Sequence, residues 1–377
     1  LKMTAIEAFP VRLPLRRPFA TSGGVVGDMA SGAPHVYVRV TASDGSVGWG
    51  EARPSPRWSY ETLESVVTTI RRYIAPALLG QSVLSSTEIL RAMDAEIAPG
   101  PGGGQPIAKA AIDTAVHDLL ARRQRVPLCA LWGTAPRAAI RLSYLISTKD
   151  AADAEAMAKA AREAGYQGID LKIGFGLQVD EALLEAVAPY AKDLFFRVDA
   201  NQAYTLPEAI AMARRMGRLG VSVFEQPLAA LDWLGHAELR RKVDVPVALD
   251  EGIWDAMMLL QAIRLEACDA VVVKLTKMGG LARARLCGEL AREAGLGLLG
   301  GGLTESSLGL VASAHLFHAL GIEDPVDLNG PFFLADDPID RKPIVLDGSA
   351  QLPEGEGLGC TVVMERLRRF AVPPEPM

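Results

Sequence analysis

The sequence predicts an α/β protein, a modified (β/α) TIM-type barrel with an α+β capping domain. Three observations predict it. From about residue 140, apolar runs of strand length recur at steps of roughly 20–27 residues, the span of one strand, one helix and two short loops. Alanine-rich stretches that end in glycine fill the intervals, as helices with their C-terminal signal do. The first 125 or so residues lack this rhythm and give strands first, then helices.

The elements follow in chain order. Residues 3–13 and 35–51 read as strands, and "VYVRVTASDGSVGWGEA" reads as a hairpin turning at Asp44-Gly45. Helices are expected over 61–78 and 84–96, a glycine-rich loop over 98–106, and a helix over 107–124. That last helix carries Ala108, Ala111, Ala115 and Leu119 on one small-residue stripe. The loop's "GPGGG" lacks the Lys-Ser/Thr of a phosphate loop and follows no strand, so a nucleotide site is set aside. Barrel strands are expected at 142–147, 168–173, 194–199, 221–225, 246–250, 270–275, 295–299 and 322–328. Helices such as "DAADAEAMAKAAREAG" and "TLPEAIAMARRMGRLG", the latter with proline near its start, lie between them. Eight such units make a closed parallel barrel. The expected division is a cap over 1–128, the barrel over 129–338, and a segment over 339–377 whose short strands return to the cap.

Composition narrows the function. The chain has 377 residues, 49% hydrophobic and 22% charged, which suits a globular protein. A net charge of −6 offers no basic footprint for nucleic acid and argues against an anionic membrane surface. No apolar run approaches the roughly 20 residues of a membrane span. The start, "LKMTAIEAFPVRLPL", alternates like a strand and is not organised like a signal peptide. Cys129, Cys268, Cys287 and Cys360 stand singly, which disfavours both a zinc site and a disulfide framework. A cytoplasmic location is expected.

The chemistry sits at the strand ends. "FFRVD", "VSVFE" and "PVALD" close on Asp199, Glu225 and Asp250, 26 and then 25 residues apart, one barrel unit each. Every such end points to the same mouth. Neighbouring strands lie about 4.8 Å apart, so three carboxylates there can converge, and their mutual repulsion invites a hard divalent cation such as Mg²⁺. The plainer alternative is three acids capping the helices that follow. Lys172 precedes this arc by 27 residues and Lys274 follows it by 24. Lysine within an apolar strand is costly unless its charge is used. Each lysine can serve as a counter-ion, and each can serve as a base if desolvation and a nearby cation lower its pKa.

In this order and spacing the motifs "DAN" (199–201), "EQP" (225–227), "DEG" (250–252) and "KLTKMGG" (274–280) resemble the enolase superfamily. The match is to its muconate lactonizing enzyme-like subgroup, the mandelate racemase/muconate lactonizing enzyme family. "GWGEA" resembles the cap's hairpin, "AKAAIDTAVHDLLARRQRVPLCALWG" the helix leading into the barrel, and "TESSLGLVASAHL" the seventh-strand segment. The resemblance covers nearly the whole chain. It implies Mg²⁺ held by Asp199, Glu225 and Asp250, and a small-molecule carboxylate whose α-proton is removed through an enediolate. It also implies Lys172 and Lys274 as a base/acid pair, and a homo-oligomer. Asn201 and Glu251 fall inside the ligand motifs, and Glu305 lies near the metal or substrate. Trp58 and Tyr60, with the glycine-rich loop 20–32, fall where relatives close over the substrate. Arg53 or Arg57 would meet a second anionic group.

Two positions depart from the family pattern. Where many relatives have Lys-x-Lys on the second strand, Asp170 precedes Lys172 and favours its protonated form, leaving Lys274 as the firmer base. On the last strand, "VDLNG" keeps Asp327 but puts Asn329 where dipeptide epimerases have a second acid for the substrate's ammonium group. His315 and His318 can be ligands or helix-packing residues, and His117 reads the same way. Three functions stand: a racemase or epimerase of an amino-acid derivative; a cycloisomerase or dehydratase of the same fold; and a noncatalytic barrel, disfavoured by the intact acid triad.

Overall fold

The structure, a computed structural model, describes residues 1–372 apart from 17, 18, 22, 23, 28 and 101. Much of the glycine-rich loop 20–32 therefore lies outside the described side chains. The cap begins with β1 (Met3–Leu13), the ribbon of β2 (Phe19–Thr21) and β3 (Gly24–Gly27), then β4 (Ala33–Ala42) and β5 (Val47–Ala52). β1, β4 and β5 form one antiparallel sheet in that order. The β4–β5 hairpin turns where the sequence placed it, with Gly45 at φ 84° and Asp44 accepting from the Ser46 amide at 3.0 Å.

Helices follow the sheet. α1 (Leu63–Thr68) starts on a Thr62/Ser65 capping box and runs through a π turn (Thr69–Ile74) into α2 (Ala75–Leu78). α3 (Ser86–Glu96) is capped by Ser85. α4 (Pro106–Gln124) is buried on nearly every side. Its first turn has proline at N1, and the Glu61 carboxylate accepts from the Ile107 and Ala108 amides at 2.7 and 3.0 Å. The small-residue stripe predicted on this helix meets glycines of β5. A Cβ at Gly50 would overlap the Ala111 carbonyl, and one at Gly48 the Ala115 carbonyl. Strand and helix backbones touch with no side chain between them.

A short 3-10 turn (Leu128–Trp132) and β6 (Ala139–Arg141) lead into the barrel. Its strands and helices alternate as β7 (Ser143–Ile146), α5 (Ala151–Glu163), β8 (Gly168–Lys172), α6 (Leu177–Ala191), β9 (Phe195–Asp199), α7 (Leu206–Arg218), β10 (Val223–Glu225) and α8 (Trp233–Arg240). β11 (Val247–Leu249), α9 (Ala256–Arg264), β12 (Ala270–Val273), α10 (Leu281–Glu293), β13 (Gly297–Gly300) and α11 (Ser307–Leu320) complete the series. Seven strands pair in sequence order, all parallel.

The eighth expected strand, 322–328, is not a full strand. Pro325 offers no amide hydrogen, and closure falls to two parallel bridges, Leu142 with Val326 and Gly301 with Asp327. Followed once round through these pairs, the register returns to β8 eight residues lower, the shear of a TIM-type barrel.

The chain ends with α12 (Gly330–Phe333), β14 (Ile344–Leu346), β15 (Ser349–Gln351) and α13 (Met364–Arg369). β14 and β15 were expected to return to the cap. Instead β14 pairs with β15, and β15 with β6 at the barrel's entrance. Contact with cap strand β1 comes from the last turn, where the Arg12 amide donates to the Phe370 carbonyl and the Val372 amide to the Pro10 carbonyl, each at 3.0 Å. Among the described residues no helix is long and apolar enough to cross a membrane.

Candidate active site

The barrel's stagger sets the level of the site. Lys172 pairs with Asp199, and Asp199 with Glu225, in direct register. Glu225 pairs with Ala248, so Asp250 stands two residues higher on β11. Lys274 stands higher again past β12, beyond the Ala248–Ala270 and Leu249–Val271 pairs. A climb averaging one residue per strand matches a shear of eight. The five side chains therefore ring the mouth at one height. β8 and β12 are four staves apart in a ring of eight, so Lys172 and Lys274 approach from opposite sides. Both line one cavity together with Asp199, Asn201, Glu305, Asp327, Asn329 and, from the cap, Ser55 and Trp58.

The charges in this mouth are strongly coupled. The Lys172 ammonium lies 2.8 Å from Asp199, 3.5 Å from Asp170 and 3.7 Å from Asp327. Burial pulls its pKa down, but the carboxylates of Asp170, Asp199 and Asp327 outweigh burial and hold it well above the ordinary lysine value. Lys274 donates to Asp250 at 2.5 Å, and its ammonium sits 4.7 Å over the Trp58 ring. Burial lowers its pKa too, and Asp250 and Glu225 reverse the sign. On the acid side, burial raises Glu225 to about 8, Arg197 opposes this, and the negative charges of Asp199 and Asp250 add to it. Glu251 rises to about 7 through burial and the charges of Asp250 and Asp199.

The three candidate ligands do not stand as a ready cage. Among the described residues no group of three His, Cys, Asp or Glu is arranged to hold an ion. Asp199 and Asp250 each turn to a lysine, and Glu225 pairs with Arg197. Glu225 Oε1 and Glu251 Oε2 are buried without a hydrogen-bond partner. Asn201 donates its amide nitrogen to Asp199 at 2.8 Å and its side-chain nitrogen to Glu251 at 3.0 Å. Asn201, Gln202 and Gln226, just past two of the acids, hold positive φ of 42°, 69° and 35°.

The remaining expected residues separate. Glu305 accepts from Thr276 at 2.6 Å and from the Leu303 amide at 2.7 Å at the cavity edge. Asn329 donates to Asp327 at 2.8 Å and to the Ser143 carbonyl at 3.0 Å, which a carboxylate there could not do without a proton. Tyr60 does not line the cavity. Its ring stacks on Trp254 at 6.0 Å and its hydroxyl donates to Gly102 at 3.0 Å. His315 and His318 are buried in α11, and His117 Nδ1 in α4 donates to the Asp113 carbonyl at 2.8 Å.

Sequence reading passed over three residues that hold the acids. Lys277 donates to the Asp250 carbonyl and carboxylate at 2.5 and 2.7 Å. Gln226 accepts from the Asp250 and Gly252 amides at 2.8 and 3.0 Å. Arg197 bonds Glu225 and the Gly300 carbonyl and lies 3.6 Å from Asp170. Arg197 carried a readable signal: a charge two residues before Asp199 in an apolar strand, hence on the same inward face.

Family comparison agrees with this fold. A profile described as "Mandelate racemase / muconate lactonizing enzyme, N-terminal domain" matches residues 3–133, and one described as "Enolase C-terminal domain-like" matches 152–366. The chain belongs to the mandelate racemase/muconate lactonizing enzyme family of the enolase superfamily. An N-succinyl-L-Arg/Lys racemase of Bacillus cereus is 32% identical over 88% of each chain, and its crystal structure superposes with a TM-score of 0.91 over 99% of this chain and 98% of that one. A chloromuconate cycloisomerase of Pseudomonas putida is 30% identical over 98% of this chain and 99% of its own. A dipeptide epimerase of Cytophaga hutchinsonii, crystallised with Mg and the dipeptide D-Ala-L-Val, is 25% identical with a TM-score of 0.91 over 98% of each chain. The protein is thus an enolase-superfamily isomerase of the racemase, epimerase or cycloisomerase kind, acting on a small molecule. The family is metal-dependent.

Proposed function

We propose that this enolase-superfamily member is a Mg²⁺-dependent racemase or epimerase of an N-acylated amino acid. The observation that carries the reading is the pair Lys172 and Lys274, set on opposite staves and facing one cavity. Asp199, Glu225 and Asp250 fit the metal: they supply hard oxygen donors at one level, and Glu225 Oε1 has no protein partner. Bound there, Mg²⁺ supplies positive charge that stabilises a substrate carboxylate as its α-carbon loses a proton.

The chain's own residues do the rest. One lysine, as the free amine, takes the α-proton, and the C–H bond breaks as an N–H bond forms. The ammonium opposite returns a proton to the other face of the enediolate, and the configuration inverts. Carboxylate oxygens that turn to a cation are withdrawn from the lysines, which removes part of what holds their protons. Asp327, held by Asn329, accepts from the substrate N–H. Trp58 covers the mouth and excludes water on the Lys274 side.

A second reading has its own observation. Lys172 faces three carboxylates and Lys274 faces Asp250 and an indole. Such unequal surroundings suit chemistry with a single base, as in cycloisomerisation or dehydration. Incubation with Mg²⁺ and N-acyl amino acids in D₂O separates the two. We expect deuterium at the α-carbon with appearance of the enantiomer, abolished by EDTA. Ring closure or loss of water, with no deuterium in recovered substrate, would overturn the racemase reading.

A further inference from the structure

We propose that Lys277 is a positioning residue that holds one oxygen of Asp250, so that only the other is offered to a cation. This rests on the reading of Asp199, Glu225 and Asp250 as metal-holding acids. Two lysines share the Asp250 carboxylate, and they are unlike. Lys274 meets Oδ2 at 2.5 Å and lines the catalytic cavity. Lys277 meets Oδ1 at 2.7 Å, is fully buried, and stands outside that lining. It also donates to the Asp250 carbonyl at 2.5 Å. One ammonium thus clasps the backbone and the carboxylate of the same residue, which fixes the side-chain torsion between them. Among the described residues Lys277 has no other acceptor and no other ion pair.

The local chain delivers this ammonium. Lys277 lies in the turn between β12 and α10, three residues past Lys274. The Met278 amide donates to the Lys274 carbonyl at 3.2 Å and the Gly280 amide to the Leu275 carbonyl at 2.8 Å, which folds the segment back on itself. Gly280 ends the turn at φ 115°, where a Cβ would overlap the Asp113 side chain of α4. From the neighbouring strand, Gln226 accepts from the Asp250 amide at 2.8 Å. Asp250 is therefore fixed at its amide, its carbonyl and one carboxylate oxygen.

The other two acids repeat this division by different means. Asp199 Oδ1 accepts from the Asn201 backbone amide at 2.8 Å, and its Oδ2 from Lys172 at 2.8 Å. Glu225 Oε2 accepts from Arg197, and its Oε1 has no partner. In each acid one oxygen is tied by a group the chain holds in place, and the other faces a cavity lysine or nothing. A ligating carboxylate whose second oxygen is hydrogen-bonded keeps its orientation toward the metal. Lys274 must give up Oδ2 to a cation, whereas Lys277 need not give up Oδ1. The two ammoniums therefore act on cation binding in opposite directions: one competes for the oxygen, the other steadies the carboxylate. Charge alone would make both oppose it, since each repels a divalent ion.

The test is Mn²⁺ binding to the EDTA-stripped protein, read from the EPR signal of the free ion, with Mg²⁺ as competitor. We expect Lys274→Met to bind Mn²⁺ several-fold more tightly than the wild type. Lys277→Met should bind it about ten-fold or more weakly. Lys277→Gln, which keeps a donor without the charge, should fall between the wild type and Lys277→Met. Unchanged or tighter binding in Lys277→Met would overturn the proposal and make Lys277 a counter-ion to the crowded acids. The melting temperature of each metal-free variant is read first. Should Lys277→Met not fold, Lys277→Gln decides: binding weaker than wild type upholds the anchor, and equal or tighter binding overturns it. A wild type that binds neither ion overturns the metal reading and the anchor with it. Binding by the wild type with no loss in the Lys277 variants overturns the anchor alone.

Discussion

Two buried carboxylate sites, one at the joint between cap and barrel and one at the barrel mouth, treat charge in opposite ways. At the joint, Glu51 of β5 accepts from the His35 ring at 2.6 Å, the Ser306 amide at 2.8 Å, the Ser306 hydroxyl at 2.6 Å and the Gly309 amide at 3.0 Å. Both its oxygens are met by groups at the start of α11 or by a neighbouring strand. Although burial is the largest influence and pushes upward, His35 and Ser306 bring its pKa below the ordinary value. At the mouth, Glu225 has an oxygen with no partner and its pKa is driven to about 8. The difference teaches how one residue type serves two ends: a satisfied acid joins two parts of the chain, whereas an under-satisfied one costs stability that, on the proposed function, a bound cation would restore.

That contrast can be broken by substitution. Glu225→Gln should lower α-proton exchange by about four orders of magnitude, on the order of 5 kcal/mol in the barrier. At pH 9, above the Glu225 pKa of about 8, the same change should raise the melting temperature of the metal-free protein by a few degrees, because one of three crowded acids becomes neutral. A melting temperature that falls would place Glu225 with Glu51 as a structural acid.

Glu51→Ala should do the reverse. It strands the Ser306 and Gly309 donors and the His35 ring, and should cost about 3–4 kcal/mol in urea unfolding. Exchange in the fraction that remains folded should drop far less than in Glu225→Gln. Equal losses of activity in the two variants would erase the distinction.

The smallest effect sharpens the rule by its exception. His315 has two ring nitrogens without a partner, yet it lies in α11 outside the mouth. Burial lowers both His315 and His318 to about 4. The unfolded chain takes up these protons near pH 6.5, whereas the folded chain does so only near 4. Stability is therefore complete above about 6.5 and declines as pH falls through that window. By pH 5 the loss should be about 2 kcal/mol per histidine. His315→Leu should flatten the profile by roughly that amount in urea titrations at pH 7.5 and 5, and an unchanged profile would refute it.

Much of the barrel was legible because period and register are sequence properties. The spacing of Lys172, Asp199, Glu225, Asp250 and Lys274 is one unit per step, and each residue ends or just overruns its strand. The cap hairpin and the stripe on α4 were visible for the same reason. What stayed hidden depends on contacts between distant segments. No local pattern says that Glu61 caps α4, that Arg53 is buried without an anion, or that Tyr60 stacks on Trp254 and leaves the cavity to Trp58. The eighth strand misled because "IEDPVDL" has the alternation of a strand, while Pro325 removes a ladder donor. The C-terminal strands misled because edge pairing with β6 leaves no signature in β14 or β15 themselves.

The bare contact between β5 and α4 has a mechanical result. With no side chains to compress between Gly48, Gly50 and the carbonyls of Ala111 and Ala115, that joint has almost no give. The next residues along β5 are Glu51, which is tied to the barrel, and Ala52, which leads into the segment bearing Arg53 and Trp58. The segment that carries Trp58 to the cavity is thus bolted to a stiff plate. One methyl group on either glycine would act as a shim, tilting the roof of the chamber from a point remote from any reacting atom.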